Sequence, residues 1–161
     1  MFKSKVRPIG IPQYEHARLA ATLALNWGNE HFDRPEIDFE KFVLGVALHD
    51  WQYGSIDAIA FAEIPENRWL DLMATGVDLE MDPVIEVVAK LHMKRLVMQP
   101  VSERRLEIGQ QFEDRISAVV AQHNLSREKY EWADAITRFC DSLAFDFRSE
   151  EHTSELQSRS D

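Results

Sequence analysis

Cysteine is almost missing from this chain. Cys140 is the only one among 161 residues, so no disulfide can close within it and stability has to come from a packed core. Long apolar runs are also lacking, and the longest falls far short of the roughly 20 residues that span a bilayer. The opening stretch MFKSKVRPIGIPQ has basic residues with no apolar run behind them, so it does not read as a secretory signal. A cytoplasmic, reducing setting and no membrane partner are the expectations. Glycine numbers six, with no Gly-rich phosphate loop of the Walker or dinucleotide type. Positive charge is scarce as well: 18 Lys and Arg face 28 Asp and Glu, a net charge of −10. A nucleic-acid binder draws its affinity from Lys and Arg set against phosphates, so no nucleic-acid polymer is expected as a partner. A small phosphorylated molecule stays open, because one metal ion or a few local cations can hold one phosphate.

What is present is an ordinary globular composition, 45% apolar and 29% charged, long enough for one domain with a real core. The last stretch stands apart. Residues 148 to 158 read RSEEHTSELQS, which resembles a sequencing adapter translated in one frame. Leu156 is the only apolar residue after Phe147, so the segment has no face to bury. Residues 148–161 are read as a non-native, disordered tail, and 1–147 as a helical domain cut short at its C-terminus. His152 is therefore set aside as a ligand. Without the tail, 16 basic and 24 acidic residues remain, and the balance is still acidic.

Helical period dominates the rest. The first helix is expected from about Pro12 to Gly28, with Leu19, Ala20, Leu23, Ala24 and Trp27 inward. A second follows the N-cap Asp38 and runs to about Trp51, with Phe42, Val43, Val46 and Ala47 inward. YGSID suggests a turn leading to a short helix or loop. Further helices are expected from Pro65 to Thr75 and from Asp82-Pro83 to Met98, the latter with Ile85, Val88, Ala89 and Leu96 inward. Two more are expected, from Ser102 to His123 and from Ser126 onward. No period-two stretch is seen, so the fold class is all-α.

Polar residues on apolar stripes are the feature to explain. His16 precedes Leu19, Ala20 and Leu23 by three, four and seven residues, so it shares their face. His49 and Asp50 fall at the end of the second helix, in step with Phe42, Val43 and Val46. His92 is in step with Ile85, Val88, Ala89 and Leu96. Asp141 sits in the apolar stretch FCDSLAF. Each residue alone fits a bland role: a hydrogen-bonded core histidine, or, for Asp141, a helix-surface residue or an ion-pair partner, with Arg138 as one candidate. Together they are costly to bury, since an unpaired buried carboxylate costs several kcal/mol or more. A divalent cation held by imidazole and carboxylate resolves that cost. Gln13, one turn before His16, is a candidate to hold its second ring nitrogen. Lys94 and Arg95, just past His92, are candidates for a phosphate clamp, with a solvated helix face as the plainer alternative.

The order His, His-Asp, His, Asp on successive helices resembles the HD-domain superfamily of metal-dependent phosphohydrolases. EHARLAATLA looks like its first element, VLGVALHDWQYG like its doublet element, and CDSLAF like its closing Asp. Within that superfamily the chain is similar to an uncharacterised bacterial branch, a domain of unknown function, over nearly all of residues 9 to 147. The resemblance implies an HD-like helical bundle. It also implies one divalent metal ion (Mn, Fe, Co, Ni, Zn or Mg) on His16, His49, Asp50 and Asp141. Asp50 and His92 would be catalytic, and the substrate a small phosphorylated molecule or nucleotide. Trp51, Gln52 and Tyr53 depart from the small residue or Gly that many HD enzymes carry after the doublet. A two-iron oxygenase and a catalytically silent nucleotide- or metal-sensing domain are the alternatives.

Overall fold

The computed structural model describes residues 2–3, 10–56, 59–60, 63–100 and 102–149. Two short strands, β1 (Phe2–Lys3) and β2 (Gly10–Ile11), pair antiparallel with Phe2 opposite Ile11. Six helices follow: α1 (Gln13–Leu25), α2 (Phe39–Ala47), α3 (Glu66–Thr75), α4 (Pro83–Val97), α5 (Glu103–Gln122) and α6 (Arg127–Ser149). A 3-10 helix, Trp51–Ile56, lies between α2 and α3. The all-α expectation holds. The β1–β2 pair was not expected, because two residues per strand are too few to show an alternation.

Local chemistry sets the helix starts. The Asp38 carboxylate accepts from Lys41 N at 3.2 Å, and that of Asp82 from Val84 N at 3.1 Å. Ser102 Oγ accepts from Arg105 N at 3.4 Å. Each satisfies an amide that the first helical turn leaves without a partner. α1 stops at Leu25, three residues before Gly28, where φ is +107°. That backbone region suits glycine, so Gly28 closes the turn after α1 and not the helix itself.

α4 is the axis of the molecule. One apolar cluster joins Ala20 and Ala24 of α1, Phe42 and Val46 of α2, Val88 of α4, Ile116 of α5, and Ile136 and Cys140 of α6. A second joins Tyr53, Trp69, Met73, Met93, Val97 and Phe112. α4 contributes to both, so every residue from Glu86 to Met93 is buried. The expected one-sided stripe on this helix is thus corrected: Ile85 and Leu96 are only partly buried, and the helix is enclosed all round. On α1 the buried stripe is Ala17, Ala20, Ala21 and Ala24, while Leu19 and Leu23, with Trp27 just beyond the helix, pack at its edge. Small residues let neighbours come close. At Gly45 of α2 an added Cβ would lie 2.7 Å from Val88 Cβ, well inside van der Waals contact. This close α2–α4 approach brings the end of α2 against α4, where the polar residues gather. Among the described residues no helix is long and apolar enough to cross a membrane.

The reading of residues 148–161 as a tail lies almost wholly outside the described residues, as does His152. α6 itself continues to Ser149, two residues past the expected boundary.

Candidate metal centre

Four separate segments bring the polar residues together. His16 sits on the buried face of α1 with Gln13, Ala17 and Ala20. α2 ends at Ala47, earlier than the sequence suggested, and the doublet lies in the turn beyond it. Leu48 N bonds to Leu44 O and Gly45 O, His49 N to Val46 O, and Trp51 N to Leu48 O. The chain thereby tightens into the 3-10 helix. Consecutive residues of a straight helix point about 100° apart. Here the turn buries both His49 and Asp50 in one cluster. His92 comes from the enclosed part of α4. Asp141 comes from α6, at the edge of its buried face.

The carboxylates of Asp50 and Asp141 stand among three imidazoles. His16 Nε2 is 2.7 Å from Asp141 Oδ1 and 3.9 Å from Asp50 Oδ2. His49 Nε2 is 3.3 Å from Asp50 Oδ2 and 3.5 Å from Asp141 Oδ1. His92 Nε2 is 3.6 Å from Asp50 Oδ1. His49 Nδ1 lies 2.5 Å from the Val46 carbonyl oxygen. A carbonyl only accepts, so Nδ1 carries a proton and donates it. In the neutral ring Nε2 is then a bare lone pair. That atom is buried and makes no hydrogen bond within the described residues, and neither does His92 Nε2.

Two carboxylates facing an imidazole lone pair repel it unless a cation stands between them. A proton on His49 is one such cation. Burial pushes its pKa down, but the charges of Asp50 and Asp141 outweigh that and raise it to about 10. Burial pushes both carboxyls up, while the imidazoles around them hold them well below the usual range. For His92, burial and the neighbouring His49 charge win, and its pKa is lowered. A divalent metal is the other candidate. Ligand atoms about 2.0–2.2 Å from a common metal lie about 3–3.5 Å from one another, close to the His49 spacings. Donor atoms of His16, His49 and Asp50 lie within 4.8 Å of one another, as do those of His49, His92 and Asp141. The imidazole and carboxylate set suits Zn, Mn, Fe and their neighbours.

The surrounding residues fall partly as expected. Gln13 donates its amide to Asp50 Oδ2 at 3.3 Å, so it steadies the carboxylate, whereas His16 was the partner expected. Arg95 donates to His92 Nδ1 at 2.9 Å and pairs with Asp134 on α6. Lys94 turns away from the cluster to Glu113 on α5, at 2.5 Å. Its pairing with Arg95 as a clamp is not what the fold builds, since neighbours on a helix diverge by about 100°. Asp141 takes His16 as its partner, and Arg138 is not paired with it. Of the bulky residues after the doublet, Trp51 is exposed while Gln52 and Tyr53 turn inward. Gln52 reaches Met73 Sδ at 3.6 Å, and the Tyr53 hydroxyl accepts from Trp69 Nε1 at 2.5 Å. Burial and the nearby Asp50 charge raise the Tyr53 pKa. The sequence singles out Tyr53 only as a bulky residue after the doublet, and Asp134 not at all. Asp134 had a signal: it lies seven residues before Asp141, two turns along the same face.

A family model described as a protein of unknown function (DUF3891) matches residues 3–159, so the chain belongs to that family. No curated protein and no solved structure matches.

Proposed function

We propose that this family member holds one divalent metal ion with His16, His49, Asp50 and Asp141 and hydrolyses phosphate esters of small molecules or nucleotides. The observation that carries the metal is His49: its Nδ1 is committed to Val46 O, and its buried Nε2 lies 3.3 Å and 3.5 Å from two carboxylate oxygens. The reaction class rests on the order of these residues, which resembles that of the HD phosphohydrolases. When bound, the metal supplies Lewis acidity toward a phosphoryl oxygen and lowers the pKa of a coordinated water.

The protein's own groups do the rest. Asp50, steadied by Gln13, orients the attacking water. His92 stays outside the ligand set. Because Arg95 donates to its Nδ1, the proton of the neutral ring sits on Nε2. His92 thus offers a hydrogen bond toward the reacting oxygens. Arg95, steadied by Asp134, lies beside the site and serves the substrate's phosphate, whereas Lys94 drops out of this role. Cys140 is buried and single, in keeping with a reducing, cytoplasmic setting.

The test is metal analysis of the full chain after metal-replete expression, beside His49→Ala and Asp50→Ala. Stoichiometric Mn, Fe, Co, Ni, Zn or Mg in the wild type and none in the variants is expected. A wild type without metal removes the proposal. Turnover of a panel of phosphomonoesters and nucleotides with added metal tests the reaction separately.

A further inference from the structure

The chain is acidic, and among the described side chains of α4, α5 and α6 the cations are almost all spoken for. On α4, Lys90 pairs with Glu86, Lys94 with Glu113 and Arg95 with Asp134. On α5, Arg104 pairs with Asp71, Arg105 with Glu66 and Arg115 with Glu86. On α6, Arg127 pairs with Glu113 and Glu131, and Lys129 with Glu36. Arg138 is the exception among the described side chains of these three helices. It is exposed and makes no ion pair or hydrogen bond with any described residue. Arg68 of α3 is likewise exposed and without a carboxylate among the described residues, but α3 brings no residue to the metal centre.

Its place on α6 gives the exception a meaning. Arg138 lies three residues before Asp141 and four after Asp134, spacings that put all three along one edge of the helix. Asp141 is the most open member of the metal centre, its side chain 22% exposed against 2% for His16 and 0% for His49. The centre therefore meets solvent at Asp141, on the edge that carries Arg138. Two carboxylates and a divalent metal sum to no net charge, and Arg95, the other cation offered to the phosphate, has its charge offset by Asp134. Among the described side chains of α4, α5 and α6, Arg138 is the cation that no carboxylate offsets. A guanidinium is the side chain best shaped to hold phosphate oxygens in pairs.

We infer that Arg138 is a substrate-binding residue, gripping the phosphate of a small phosphorylated substrate at the open edge of the metal centre. The inference rests on the metal reading above and adds a second cation, beside Arg95, to its phosphate site. It makes the site selective for anionic substrates.

Inorganic phosphate is the probe. The full chain is loaded with Mn²⁺, uptake is read from the loss of the free-ion paramagnetic signal, and phosphate is then titrated calorimetrically. Arg138→Gln is compared with wild type and with Arg68→Gln, which removes an exposed cation from α3. Arg138→Gln is expected to weaken phosphate binding about tenfold, the scale of one charge-assisted contact. It should leave Mn²⁺ uptake unchanged, and Arg68→Gln should alter neither. Arg138→Lys should recover part of the loss. Mn²⁺ uptake with phosphate binding equal in all three proteins, or with no phosphate binding in the wild type, overturns the role of Arg138 alone. No Mn²⁺ uptake by wild type overturns the metal reading and this one with it.

Discussion

Two buried polar clusters share α4, with anchors only two residues apart. Lys90 and His92 are both enclosed, at 0% and 1% exposure. Lys90 spends all three of its protons: on Val77 O at 2.7 Å, Leu79 O at 2.8 Å and Glu86 Oε1 at 2.7 Å. Glu86 in turn accepts from Arg115 Nε at 2.6 Å and Met81 N at 3.1 Å. This cluster is complete, and it ties the loop between α3 and α4 to the axis of the fold. The cluster of His92 is not complete. His49 Nε2 and His92 Nε2 are buried with no hydrogen bond among the described residues, while two carboxylates crowd them. A satisfied buried network does structural work, whereas one with buried ring nitrogens left unused has the form of a ligand site.

The largest effects should separate the two clusters. Asp50→Ala removes a ligand and should weaken metal binding by about a thousandfold or more, about 4 kcal/mol, as measured by competition with a chelator. An outer partner of a metal ligand is worth only about 10- to 100-fold, so Gln13→Leu should fall in that smaller range. Lys90→Met breaks the complete cluster from one side. It leaves two carbonyls and part of Glu86 without a partner and should lower stability by about 3 kcal/mol in chemical denaturation. Metal uptake by the folded protein should stay within twofold. If Lys90→Met abolished uptake at full fold, the division between the clusters would be wrong.

Much of this division could be read in the sequence, and part could not. His16, His49, Asp50, His92 and Asp141 all reach one place, because their spacing against apolar neighbours fixes which face they share. The end of α2 was misplaced: the apolar pattern continues to Trp51, but a turn formed by Leu48 and His49 amides interrupts the helix. Lys90 was not foreseen as buried. Its neighbours Val87, Val88, Ala89 and Leu91 are apolar on every side, a pattern that also marks an enclosed helix. The partners of Lys94, Arg95 and Gln13 lie 19, 39 and 37 residues away, and such pairings depend on how helices pack. An ion pair of Arg138 with Asp141 is one of the plainer alternatives the sequence leaves open, and the structure instead puts His16 Nε2 2.7 Å from Asp141.

Acidity should act on the two clusters in different ways. In the metal-free chain His49 is raised to about 10 by Asp50 and Asp141, so it holds a proton at neutral pH that a metal must displace. Metal affinity should fall about tenfold for each unit the pH drops below that value, from this proton alone. Without metal the sign reverses. A group with a raised folded pKa contributes stability that is fully present below its unfolded value of 6.5 and is lost as pH rises through about 10. Chelated protein should therefore unfold at a lower temperature at pH 9 than at pH 7, and added metal should narrow that difference. An affinity that does not change between pH 6 and 8 would mean that His49 carries no proton to be displaced.

The smallest effect is expected at Lys94, and it bears on where the site ends. Lys94 follows His92 by two residues, yet it pairs with Glu113, which Arg127 also holds at 3.0 Å. Burial pushes the Glu113 carboxyl up, but these two cations outweigh it and bring the pKa to about 2. Its stabilisation is therefore present above the unfolded value of 4.5 and is lost as pH falls toward 2. All three side chains are about 30% exposed, so solvent and salt screen the interaction and its worth stays below about 1 kcal/mol. Lys94→Met should cost no more than that at pH 7 and still less at pH 3, where Glu113 begins to lose its charge. Metal uptake and phosphate binding should match wild type. A phosphate defect in Lys94→Met as large as that in Arg138→Gln would show that the cation reaches the centre in solution. The boundary between the structural face of α4 and its chemical face would then have to move two residues along the helix.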